Sequence, residues 1–306
     1  MQDRHVGLAA MVAACTIWGL SPLYYKLLTP VPALEVLAHR TFWSFVFFAG
    51  VLALQGRLRR IVEVLSDRRT AVTLAVSASA ISVNWFLFIY SVQTGHATQA
   101  SLGYYIFPLL AVLIGMAAFG ERLDRTQVVA VALAALAVTA LSWHLGAPPW
   151  IALLIALSFG IYGAAKKKLS AGAVTTVTTE VLLLAPLALG YLALVHAGDG
   201  PGRVYGQDWG LTGLLMLAGP LTALPLILFS HASQRLPLGT IGLLQYLNPT
   251  LQFLCATLVF REPFGWVQAA AFGMIWTALA LYSGASFRKD RARRRASRSV
   301  STESHV

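Results

Sequence analysis

Residues 87–127 read LFIYSVQTGHATQASLGYYIFPLLAVLIGMAAFGERLDRTQ, and residues 228–268 read LFSHASQRLPLGTIGLLQYLNPTLQFLCATLVFREPFGWVQ. Laid over each other without a gap, at a shift of 141 residues, they agree at 11 of 41 positions, where so apolar a composition gives about three by chance. The identities include Gln93/Gln234, Tyr105/Tyr246, Pro108/Pro249, Glu121/Glu262 and Gln127/Gln268. General likeness among hydrophobic helices does not produce paired Gln, Tyr, Pro and Glu, so the register predicts two copies of one unit. It extends outward, placing Gly19 on Gly160, Lys26 on Lys167, Leu28 on Leu169 and Leu74 on Leu215.

Water is the wrong solvent for either copy. Of 306 residues 57% are hydrophobic and 11% charged, whereas charged residues make up about a quarter of a soluble domain; mean hydropathy is +0.68. A bilayer core about 30 Å thick asks for about 20 apolar residues per helical span. Broken at its charge, Gly and Pro clusters, the chain predicts ten helices, over 6–28, 34–54, 70–91, 98–119, 126–145, 149–167, 174–196, 209–231, 238–260 and 265–286. The runs lack the period-two alternation of barrel strands. The expected fold is therefore an all-α integral membrane protein of ten transmembrane helices in two five-helix repeats, 1–145 and 146–286, with a disordered basic tail over 287–306.

An odd number of spans per repeat turns the second copy upside down. Charge placement agrees: 19 of the 23 basic residues fall in segments on the N-terminal side, Lys26, Arg203 and Arg261 on the other, and Arg40 within a span. That bias predicts a multi-pass protein of a bacterial-type plasma membrane with both termini cytoplasmic. Two inverted copies can exchange conformations and so open a central site to either side in turn, which implies a transporter.

Other classes fit less well. The net charge of +11 does not point to nucleic acid, because seven basic residues sit in the tail from Arg288 to Arg298, where they read as an anchor to anionic lipid. Cys15 and Cys255 lie in separate apolar runs and are expected to be free, buried thiols. No metal and no cofactor is expected: there is no His-Glu-x-x-His and no Gly-x-x-x-x-Gly-Lys nucleotide loop. All six aspartates fall outside the spans, which leaves no aspartyl dyad for an intramembrane enzyme. A non-transporting receptor or assembly subunit stays open as the alternative, and a homodimer is compatible with the sequence.

Short motifs add a resemblance. Ile17-Trp18-Gly19 with Tyr25-Lys26, His39-Arg40 with Trp43-Ser44, Asn84-Trp85, Ala100 to Tyr104, Gly120-Glu121-Arg122, Phe159 to Gly163, Lys167-Lys168, Glu180, and Gln245-Tyr246 with Asn248-Pro249-Thr250 occur together. As a set, over about residues 6–285, the chain resembles the EamA-type transporters of the drug/metabolite transporter superfamily, and within them the RarD group. The resemblance implies ten helices and small-molecule transport. One position departs: members often carry Asn before the proline of the fourth helix, and here it is Phe107.

Polar residues inside the spans mark the expected solute pathway, since a polar stripe facing lipid is costly. In the fourth helix Ser101, Tyr104, Tyr105 and Pro108 follow the i, i+3, i+4, i+7 rule. Their shifted counterparts Gly242, Gln245, Tyr246 and Pro249 share the same face of the ninth, extended by Asn248 and Gln252. Trp18, Asn84 and Tyr162 complete the expected pathway, where rings stack on flat or apolar solutes and amides orient them. Pro108 and Pro249 remove backbone bonds at symmetric positions and are candidate hinges. His39, Arg40, Glu180 and His231 are the ionisable residues within spans and so the candidates for coupling or gating. Arg40 is expected to pair with Glu35, and Lys26 and Glu35 to be interfacial. Glu121 and Glu262 read as anchors between helices. The overall expectation is export of small organic metabolites or drugs, with proton coupling through Glu180 and His39 and facilitated exchange both left open.

Overall fold

Apolar runs with no strand-like alternation close their backbone hydrogen bonds internally, and the chain does so as helices throughout its described length. The computed structural model describes residues 2–119, 124–197, 204–236 and 238–303, with the backbone alone at 2–4, 118–119, 145, 238–239 and 285–303. The helices are α1 Gln2–Leu27, α2 Ala33–Leu54, α3 Arg59–Ser66, α4 Arg68–Gln93, α5 Ala97–Phe119, α6 Arg125–Leu145, α7 Trp150–Lys166, α8 Ala173–Ala197, α9 Trp209–Ser233, α10 Leu238–Gln245, α11 Leu247–Leu254 and α12 Trp266–Glu303. Eight of them are long and apolar enough to cross a membrane. Trp150–Lys166 is a shorter apolar helix, and the predicted ninth span is divided between α10, α11 and a π-helical turn, Cys255–Val259.

Helix ends explain several of the repeated polar residues. Asp124 and Gln127 form a capping box at the start of α6: the Gln127 N–H donates to Asp124 Oδ1 at 2.8 Å, and Gln127 Oε1 accepts from the Asp124 N–H at 3.0 Å. Its repeat partner Gln268 likewise accepts from the Gly265 N–H at 3.1 Å ahead of α12. The carboxylate of Glu262 takes the N–H groups of Ala97 and Thr98, each at 2.7 Å, and so closes the N-terminus of α5. Its counterpart Glu121, with Arg122, lies outside the described residues. Asp67 caps α4, where the hydroxyl and N–H of Thr70 donate to it and hold its carboxyl below the usual carboxylate range.

Packing follows the shift of 141 residues as well. α5 packs on α7 as α11 packs on α1, α4 on α7 as α9 on α1, and α2 on α9 as α8 on α4; α2 meets α8, and α6 meets α12, across the centre. Small residues permit the closest approaches. A Cβ on Gly19 would lie 2.6 Å from the Leu251 Cβ, and one on Gly219 would strike the backbone carbonyl of Trp43. Cys15 and Cys255 are free and buried. Trp143, Trp150, Trp209 and Trp266, exposed by 88%, 49%, 82% and 80%, all stand at the ends of spans opposite the start of α1. A ring of exposed tryptophans at one level is what the water–lipid boundary favours.

The structure departs from the sequence expectations at several points. The stretch after α2, where no span is expected, contains α3, whose Ile61 is buried while Arg59 and Arg60 are exposed; eight residues are too few to register as a span. The backbone of the basic tail continues α12 through Glu303, where Ala, Arg and Lys are good helix formers that extend an existing helix without a new nucleus; its basic side chains lie outside the described residues. Glu35, read as interfacial, is fully buried, while Lys26 is exposed above the ring of Phe260. The two candidate hinges differ. Pro108 sits inside the unbroken α5, whereas the helix breaks at Tyr246 and Pro249 falls in the first turn of α11, where its missing N–H has no partner to lose.

Candidate functional site

Between the two sets of helices lies a cavity of about 800 Å³. Its wall is rich in aromatic rings: Trp18, Tyr25, Trp85, Phe88, Tyr104, Phe107, Phe159, Tyr162, Phe229, Tyr246 and Tyr282 all contribute. Leu169, Ala171 and Ser283 line it at the end of the bundle where α1 begins; Tyr25, Arg40 and Phe88 line it towards the other end. That other end is tied by polar contacts. Tyr24 Oη donates to the Leu214 carbonyl at 2.7 Å, and Gln93 Nε2 donates to the carbonyls of Leu28 and Val31 at 2.9 and 3.0 Å.

Helical phase decides which of the predicted residues reach the cavity. Trp18, Asn84, Tyr104, Tyr162, Gln245, Tyr246, Asn248, Pro108 and Pro249 line it, together with Arg40 and Glu180. Asn84 is held by three bonds: its Nδ2 donates to the Ile155 carbonyl at 3.0 Å and to Ser158 Oγ at 3.2 Å, and its Oδ1 accepts from Tyr104 Oη at 2.8 Å. Asn248 Oδ1 accepts from Gln252 Nε2 at 2.9 Å.

Ser101 and Tyr105 do not line the cavity. Ser101 Oγ turns back to the Thr98 carbonyl at 2.8 Å, and Tyr105 packs among Phe272 and Trp276 of α12 with its hydroxyl 2.7 Å from Thr250 Oγ1. Neighbours in a helix diverge by about 100°, so Tyr104 and Tyr105 cannot both face one cavity squarely. His231 is also outside it, half-buried beside Arg235, whose Nη1 donates to the His231 carbonyl at 3.0 Å.

Three charged side chains line the cavity: Arg40, Lys166 and Glu180. Lys166 Nζ lies 2.7 Å from Glu180 Oε1, and Ser77 Oγ donates to the same oxygen at 2.5 Å. Lys166 also donates to Thr176 Oγ1 at 2.7 Å. Arg40 does not pair with Glu35. Its Nε donates to Thr222 Oγ1 at 3.0 Å, and its guanidinium lies 4.0 Å from the ring centre of Trp85 and 5.7 Å from that of Tyr25. Five residues along a helix is about 500° of turn, which carries Glu35 to another face.

That face forms a second buried group outside the cavity. His39 stacks on Tyr205 at 4.5 Å and meets His196 edge-on at 6.4 Å. Among the described residues, neither carboxylate oxygen of Glu35 and neither ring nitrogen of His39 has a hydrogen-bond partner. Among the described residues no group of three or more His, Cys, Asp or Glu is arranged to hold a metal.

In the sequence Lys166 is one of the basic residues on the N-terminal side and carries no further mark of a site than its place as the first of three successive lysines, still within the helical run after Tyr162. Trp85 and Phe88 were overlooked because apolar rings in an apolar span carry no pattern of their own.

Comparison with known proteins follows the same two halves. The model of the EamA-like transporter family matches twice, over residues 5–143 and 148–284. The uncharacterized transporter YojE of Bacillus subtilis is 42% identical over 279 residues, covering 90% of this chain and 93% of that protein. The protein RarD of Salmonella typhimurium is 41% identical over 277 residues, covering 90% and 94%. A solved crystal structure superposes with a TM-score of 0.60 at 17% identity, covering 91% of this chain and 97% of the other, a likeness of fold alone.

Proposed function

The chain belongs to the EamA-like transporter family, in its RarD group, and from that premise we propose that it is a secondary transporter exporting small organic solutes by alternating access. The observation that carries the reading is the aromatic cavity of about 800 Å³, large enough for a drug-sized molecule, set between two halves whose packing is paired under the 141-residue shift. Ten spans in two inverted repeats account for that pairing, with α10, α11 and the π-turn together making the ninth. The cavity reaches the end of the bundle where α1 begins. If the charge bias sets that end in the cytoplasm, this conformation is inward-facing, the state in which an exporter would load its solute.

The Lys166–Glu180 contact bears on coupling. Glu180 is paired with the ammonium of Lys166 at 2.7 Å in this conformation, and on that contact we favour facilitated exchange over proton drive through Glu180. Proteoliposomes with an imposed pH gradient decide this: exchange predicts accumulation that ignores the gradient, and gradient-driven accumulation lost in Glu180→Gln or His39→Gln overturns it.

The transport reading itself is tested by a metabolite and drug panel scored by thermal stabilisation of the purified protein, followed by flux of the stabilising compounds in vesicles. Tyr246→Ala and Gln245→Ala, which line the cavity, are expected to lower flux more than expression. Tyr105→Ala, which does not, is expected to lower the folded yield. Ligands that stabilise but never cross would identify a receptor instead of a carrier.

A further inference from the structure

The charge of the cavity is not balanced. Lys166 and Glu180 neutralise each other at 2.7 Å, which leaves Arg40 as the surplus charge of the lining. Arg40 is 7% exposed, and no acidic side chain stands within ion-pair distance of it among the described residues. Glu35, the acid nearest in sequence, has His196 as its electrostatic neighbour. A buried cation without a counter-charge is costly, and a charged ligand offsets the cost only if it is an anion.

The way Arg40 is held points in the same direction. Thr222 takes the Nε hydrogen, and the ring of Trp85 lies 4.0 Å from the guanidinium carbon and supports its face. No described side chain bonds the terminal nitrogens, whose paired donors match a carboxylate. Phe88, Phe107, Phe159 and Tyr162 supply apolar wall in the same cavity. We propose that the cavity is selective for amphipathic organic anions, with an aromatic or other apolar body against these rings and the anionic head on Arg40. Lys166 does not serve a second anion, because Glu180 occupies it, and Glu180 does not attract a cation, because Lys166 occupies it.

This inference rests on reading the cavity as the solute site, and the test separates the two. The probes are naphthylacetate, naphthylacetamide and naphthylethylammonium, which share a ring body and differ in head-group charge. They are titrated calorimetrically into the purified full-length chain in lipid nanodiscs. The anion is expected to bind about tenfold tighter than the amide, with the ammonium weakest. Arg40→Gln should bring the affinities for the anion and the amide together, and Arg40→Lys should keep part of the preference. An amide that binds as well as the anion, a preference that survives in Arg40→Gln, or no binding by any probe at about 10 mM overturns the proposal. If Arg40→Gln does not fold, the wild-type series decides alone. An anion that binds with preference but never crosses proteoliposomes refutes the carrier and leaves this inference standing; flux of neutral solutes without anion preference does the reverse.

Discussion

Removing Lys166 would leave Glu180, 2% exposed, as a buried carboxylate with only the Ser77 hydroxyl to stabilise its charge. Breaking a buried pair from one side costs about 3–5 kcal/mol, because the remaining charge is uncompensated. Removing Glu180 instead leaves Lys166, which is 22% exposed on a flexible stem and can turn its ammonium into the cavity; Glu180→Gln also keeps an acceptor for Ser77. We expect about 1–2 kcal/mol from that change. With both charges gone, Lys166→Met/Glu180→Gln should cost about 1 kcal/mol, so the coupling within the pair is about 4–5 kcal/mol. At about 2–4 °C per kcal/mol, Lys166→Met lowers the melting midpoint by about 10 °C and Glu180→Gln by about 4 °C, while the double variant recovers most of the loss. The assay is thermal unfolding of the four purified proteins in one detergent, followed by intrinsic fluorescence. Additive single effects, or Glu180→Gln more damaging than Lys166→Met, would refute the reasoning, since the first denies the coupling and the second denies the difference in burial.

Gly219→Ala forces a methyl into the backbone of Trp43 and should abolish monodisperse protein in size-exclusion chromatography, whereas Gly160→Ala meets only the end of the Ile114 side chain, which can rotate away, and should cost about 1 kcal/mol or less. Glu262→Ala strips two bonds from the start of α5 and should destabilise by about 1–3 kcal/mol, with Glu262→Gln losing about half of that; equal melting midpoints for all three proteins would contradict the capping role. Glu35→Gln should leave stability unchanged or raise it by up to about 2 kcal/mol in the same melts, because neither oxygen has a partner to lose among the described residues; a marked loss would reveal an interaction made elsewhere.

By itself the sequence determined the solvent, the helices and the repeat. Apolar runs of about 20 residues without period-two alternation have no other way to satisfy their backbone in lipid, and paired Gln, Pro and Glu at one shift need no coordinates to be seen. Even some roles were within reach: Asp124 followed three residues later by Gln127 is a legible cap. Tertiary structure decided which faces meet. Rotation about each helix axis is set by neighbours distant in sequence, so Tyr104 enters the cavity while Tyr105 packs on α12, and Arg40 settles on Trp85 and Thr222 of other helices while Glu35 turns elsewhere. Lys166 and not Lys167 meets Glu180 for the same reason: one residue is about 100° of rotation, and only the contact of α7 and α8 with α4 says which of adjacent lysines points inward. The break at Tyr246 is likewise invisible in a sequence that carries the same proline at Pro108, because an identical residue lies within one continuous helix and follows a break in the other.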